Sequence, residues 1–115
     1  MLLQCTEEGW DKIFDTNVKA AFLLTKEFKP YLKSGSSIIF MASVAGYIAS
    51  PVAAHLGPYS LSKTTLLGLT KMLSNDLGPE NIRVNCIAPG LIKTNFASMV
   101  RCFCLKHKLN LLFLL

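Results

Sequence analysis

The sequence predicts an α/β fold, a helix–strand–helix–strand piece of a doubly wound parallel sheet. Three observations predict it. Trp10, Ile13, Phe14, Val18, Ala21, Phe22, Leu24 and Phe28 recur at helical spacing. "SSIIFMA" (36–42) and "IRVNCIA" (82–88) are short, continuous apolar runs, which suit strands of a parallel sheet covered on both faces. Between them, "PYSLSKTTLLGLTKMLSNDL" (58–77) returns to the helical period, in a connection long enough for a right-handed parallel crossover.

The first helix starts at Thr6, a residue type that caps helix N-termini, with Glu7 and Glu8 placed where the helix dipole favours acids. Gly9 stands where a glutamate would complete a capping box. Pro30 and Gly35 bracket the end of this helix. Gly46, Pro51, Gly57 and Pro58 make residues 43–58 a loop. Pro58 then suits the first turn of the second helix, and Gly78-Pro79 its end. "PGLIKTNF" is the loop that leaves the second strand. Two strands leave open sheet edges and helices with uncovered faces, so this design is part of a larger sheet.

Composition narrows the function classes. The chain has 115 residues, half of them apolar, enough for one core. Of the net charge of +5, Arg101, Lys106 and Lys108 supply three, so residues 1–100 carry only two. That charge is too mild and dispersed for a nucleic-acid surface. Cys5, Cys86, Cys102 and Cys104 form no CxxC, and "CFCLKH" offers three irregularly spaced ligands, so no metal site is expected. Reduced thiols are the default. "MLLQC" lacks the basic and apolar regions of a signal peptide. The apolar end "LNLLFLL" is far short of the ~20 residues that span a bilayer. Residues 101–115 carry no cap, turn or strand boundary continuous with what precedes them. They are read as an aberrant basic and apolar tail, and residues 1–100 as the central part of the domain.

One short stretch demands chemistry. "YSLSK" places Tyr59 and Lys63 four residues apart, on one helical face and ~6 Å apart along the axis. In open α/β sheets, ligands bind beyond the carboxyl ends of the strands. The first strand delivers Ser43 to that edge, the second delivers residues 89–94, and the Tyr59 helix begins there. Taken singly, Ser43 is a hydroxyl satisfying local backbone and Asn17 a solvated helix residue. Converging on one edge, they form a candidate proton-transfer site.

With "NV" at 17–18, "MASVAG" at 41–46, "YSLSK" at 59–63, "NIRVN" at 81–85 and "APGLIKT" at 88–94, the chain resembles the short-chain dehydrogenase/reductase family over residues 6–100. Within it, "SKTTLLGLTK" and "NIRVNCIAPGLIKT" look most like a peroxisomal group of NADPH-dependent carbonyl and retinal reductases. The resemblance implies a Rossmann-like fold and a catalytic set of Asn17, Ser43, Tyr59 and Lys63. Tyr59 would exchange a proton with the carbonyl oxygen. A free tyrosine titrates near ~10, and a lysine cation beside it favours the phenolate. Lys63 would also hold the nicotinamide ribose, Ser43 would orient the substrate carbonyl, and Asn17 would support a water that relays protons to Lys63. Tyr59, Lys63, Pro89, Gly90, Ile92 and Thr94 would bind the cofactor, with Ile92 and Thr94 holding the carboxamide. NADP(H) is favoured over NAD(H), the substrate is a small carbonyl or alcohol, and the location is peroxisomal or cytoplasmic.

The chain departs from the family pattern in three respects. Its seven glycines are isolated, with no GxG, so the N-terminal nucleotide-binding unit and the residue choosing between NAD and NADP are not in it. The loop from Ser43 to Tyr59 is a few residues longer than usual. The strands expected after residue 100 are replaced by the tail. The sequence thus reads as a truncated oxidoreductase whose isolated chain should show no measurable reductase activity, since it holds the carboxamide clasp without the phosphate cradle. The alternative is an inactive fragment or splice product that keeps the two long helices as a homo- or hetero-oligomer surface.

Overall fold

The computed structural model describes residues 2–48, 56–90 and 92. The first helical run opens after a 3-10 turn at Leu2–Gln4 and comprises α1 (Glu7–Phe14), a π-helical turn (Asp15–Lys19) and α2 (Ala20–Phe28). Thr6 caps it as expected: its Oγ1 accepts from the Gly9 backbone N–H at 3.1 Å. A 3-10 turn at Lys29–Tyr31, with Pro30 in it, closes the run. Its helical continuity matches the periodicity, whereas the π turn in its middle has no counterpart in the sequence pattern.

Strands β1 (Ser37–Met41) and β2 (Arg83–Ile87) pair in parallel, Ser37 opposite Arg83 and Met41 opposite Ile87. Helix α3 (Gly57–Leu77) connects them. At the amino ends of the strands two left-handed residues meet, Gly35 at φ +89° and Asn81 at φ +58°. The Gly35 N–H donates to the Asn81 carbonyl at 2.8 Å, and Asn81 Nδ2 donates to Ser34 Oγ at 2.8 Å. Glycine and asparagine tolerate this conformation better than other residues, so both corners turn with little strain.

Phe40, Leu77, Ile82 and Val84 form the buried core, with Ala21, Leu32, Ile38, Leu69, Leu73 and Cys86 packed around them. Helices α2 and α3 therefore cover one face of the sheet. Among the described residues the strands are covered on one face only. Burial alternates along β1, with Ser37, Ile39 and Met41 exposed, and along β2, with Arg83, Asn85 and Ile87 exposed. A continuous apolar run shows that both faces can be covered, and the described residues supply a cover for one. Residues 49–55 of the long loop, Thr94 and the rest of 93–100, and the tail 101–115 lie outside the described residues.

Candidate active site

The carboxyl end of the sheet is locked to the start of α3 by backbone contacts. Ala42 N–H donates to the Ile87 carbonyl at 2.8 Å and Val44 N–H to the Pro89 carbonyl at 3.0 Å, which carries the strand pairing on into both loops. A 3-10 turn at Val44–Gly46 follows. There Gly46 lies so close to α3 that a Cβ on it would stand 2.9 Å from both the Lys63 carbonyl carbon and the Thr64 nitrogen. Thr64 Oγ1 donates to the Gly46 carbonyl at 2.9 Å. A residue with a side chain would force the turn and the helix apart at the lysine.

Tyr59 and Lys63 project on the same side of α3: the Lys63 ammonium lies 5.7 Å from the centroid of the Tyr59 ring. Lys63 Nζ also donates to the Met41 carbonyl at 2.8 Å, so the last residue of β1 fixes its reach. Partial burial holds the Lys63 ammonium below the ordinary lysine range, because desolvation disfavours its charged form. Ser43 is half-buried and begins the 3-10 turn, its Oγ accepting from the Ala45 N–H at 3.2 Å. That bond draws on one lone pair, and a serine hydroxyl also carries an O–H able to donate to a carbonyl.

Asn17 sits in the π turn, where its Nδ2 donates to Ser62 Oγ at 3.0 Å. The side chain thus reaches α3 at the residue before Lys63. Pro89 and Gly90 are half-buried at the carboxyl end of β2, while Ile92 is 60% exposed. Sequence reasoning missed Ser62, Gly46 and the Met41 carbonyl. A signal for Ser62 was present, because Pro58, Ser62, Leu66 and Thr70 recur every four residues and form the buried row of α3. Among the described residues no group of three or more His, Cys, Asp or Glu side chains is placed to hold a metal. No helix among them is long and apolar enough to cross a membrane.

A family profile described as enoyl-(acyl carrier protein) reductase matches residues 1–107. The dehydrogenase/reductase SDR family member 4 of Sus scrofa is 52% identical over 101 residues, and that of Homo sapiens 50%. The chain belongs to the short-chain dehydrogenase/reductase family. The alignment to either relative covers 86% of the chain and 35% of the relative, so the chain spans about a third of their length. Among solved members of the family, a 4-hydroxyisoleucine dehydrogenase complexed with NADH matches at a TM-score of 0.73 and 36% identity, over 88% of this chain and 45% of that one. A short-chain dehydrogenase family protein from Francisella tularensis matches at a TM-score of 0.79 and 29% identity, over 96% and 45%. The parallel pair with its helices is therefore a section of the family's Rossmann-like sheet.

Proposed function

We propose that this chain supplies the proton-transfer and nicotinamide-facing part of an oxidoreductase that interconverts a carbonyl (ketone, aldehyde or retinal) and an alcohol. The observation that supports it best is the Tyr59–Lys63 pair, on one side of α3 at the carboxyl edge of the sheet, with the lysine tied to Met41. When bound, a nicotinamide cofactor supplies hydride chemistry at the substrate carbon. The residues here fit that group. An ammonium has three donors, and Lys63 commits one to Met41, which leaves two for a ribose diol. Pro89, Gly90 and Ile92 follow β2, where a carboxamide would lie, and the resemblance adds Thr94 to them. The NADH held by the 4-hydroxyisoleucine dehydrogenase supports a nicotinamide. The likeness to carbonyl reductases favours NADP(H).

In this reading Tyr59 gives its phenolic proton to the carbonyl oxygen, or takes it back from the alcohol. Ser43 donates its O–H to the same oxygen and holds it toward Tyr59. Lys63 sets its ammonium beside the phenol, and Asn17 braces the helix that carries both. Tyr59→Phe in the full-length protein removes the proton donor and keeps the ring. It should lower carbonyl reduction by ~10²–10⁴-fold while NADPH binding persists. Lys63→Ala should weaken both. Undiminished turnover by Tyr59→Phe would assign the acid to another group.

A second reading rests on exposed apolar residues, Phe22, Leu24 and Phe28 on α2 and Leu61 and Met72 on α3. These faces would suit association with a further subunit. Light scattering on the chain, alone and mixed with a full-length relative, tests it. A strict monomer under both conditions removes this reading.

A further inference from the structure

Ser62 has no exposed surface, and its hydroxyl is engaged in both directions. It donates to the Tyr59 carbonyl at 2.7 Å and accepts from Asn17 Nδ2 at 3.0 Å. The two bonds join the π turn Asp15–Lys19 to the first turn of α3, across 45 residues of sequence. We propose that Ser62 is a positioning residue: with Asn17 it forms a clasp that sets the Tyr59 peptide, and so the phenol, relative to Lys63. The proposal rests on the reading of Tyr59 as the proton donor.

The geometry argues for positioning beyond packing. A π turn inside an α-helical run is rare, and such turns often mark functional positions. Here the turn carries the side chain that reaches Ser62. Inside a helix, a serine that bonds back to a preceding carbonyl tilts that peptide and bends the turn. The carbonyl tilted is Tyr59's own, and the next residue is Lys63. Loosening this bond therefore changes the tyrosine and the lysine together.

The test compares Ser62→Ala, Asn17→Ala and the double variant in the full-length protein, with Tyr59→Phe as reference. Ser62→Ala should lower kcat ~10-fold with KM within ~3-fold, the size of effect that follows from a small misplacement of a reacting group. The double variant should be no worse than the more impaired single variant, because Ser62→Ala already removes the bond that Asn17→Ala removes. Spectra with isotope-labelled tyrosine give a readout independent of turnover and of folding yield. The Tyr59 ring signal should move in either single variant and no further in the double, while Tyr31 and Tyr47 stay in place. A lowered melting temperature with unchanged kcat and an unmoved Tyr59 signal would overturn the clasp, as would additive effects in the double variant. Retained turnover in Tyr59→Phe would overturn the functional reading instead. The tyrosine spectra then decide the clasp alone.

Discussion

The two faces of the small sheet are one strand thick and built on opposite terms. On the face under α2 and α3, Phe40 is 8% exposed and packs with Leu77, Ile82 and Val84. One residue away along the same strand, Ile39 is 55% exposed. The carboxyl edge differs from both, because it is held by backbone: Gly46 against Lys63 and Thr64, and Met41 and Pro89 offering their carbonyls. The comparison teaches that the chain spends its close contacts where the candidate chemistry lies, and leaves the far face of the sheet to something else.

The largest expected effect tests the covered face. Phe40→Ala should destabilise the chain by ~3–5 kcal/mol, measured by denaturant unfolding, whereas Ile39→Thr should cost no more than ~0.5 kcal/mol. A cost at Ile39 that approaches the one at Phe40 would break the contrast and show that this face is covered. Next in size is the edge. Gly46→Ala puts a methyl group into the α3 backbone, and should cost ~1–3 kcal/mol, the range for overpacking. Thr64→Val removes a hydroxyl shared between the Gly46 and Ser60 carbonyls, and should cost ~1 kcal/mol. Equal losses in the two variants would mean that the hydrogen bond, and not the close approach, seats the turn.

The smallest effect is electrostatic. Burial lowers the Lys63 pKa in the folded chain, so the unfolded chain binds its proton more tightly. Stability should therefore rise with pH between the lowered value and the ordinary 10.5, and fall back as pH drops through that window. Lys63→Met should flatten the rise. Tyr47, whose phenol is pushed up by desolvation and by Cys86 beside it, is present in both proteins and cancels in the difference. Identical slopes for the two proteins would show that Lys63 is not desolvated.

The elements with strong local signals were legible in the sequence. Helix α3 spans Gly57–Leu77 where Pro58 and Gly78 bracketed it, the strands fall inside the two apolar runs, and Thr6 caps where its hydroxyl suggested. What escaped depends on partners distant in sequence. The residues of the π turn, "DTNVK", fit an α-helix as well, and the turn's Asn17 is bonded to a serine far along the chain. "SIIFM" is apolar at four of five positions, so its pattern carries no information on which face is covered. Gly46 reads as loop punctuation, because the helix backbone it touches comes near only after folding. The spacing of Tyr59 and Lys63 was written in the sequence, while the strand carbonyl and buried serine that hold them were not.

The bond from Lys63 to Met41 has an evolutionary consequence, because its acceptor is a main-chain oxygen. The Met41 side chain points to the other face of the sheet, so the lysine's anchor does not depend on which residue type stands there. Every amino acid offers the same carbonyl. Side-chain substitution at position 41 would accordingly leave the anchor of the central cation in place. The dependence would surface only on editing the main chain itself, as when the peptide bond after Met41 is replaced by an ester whose carbonyl is the weaker acceptor.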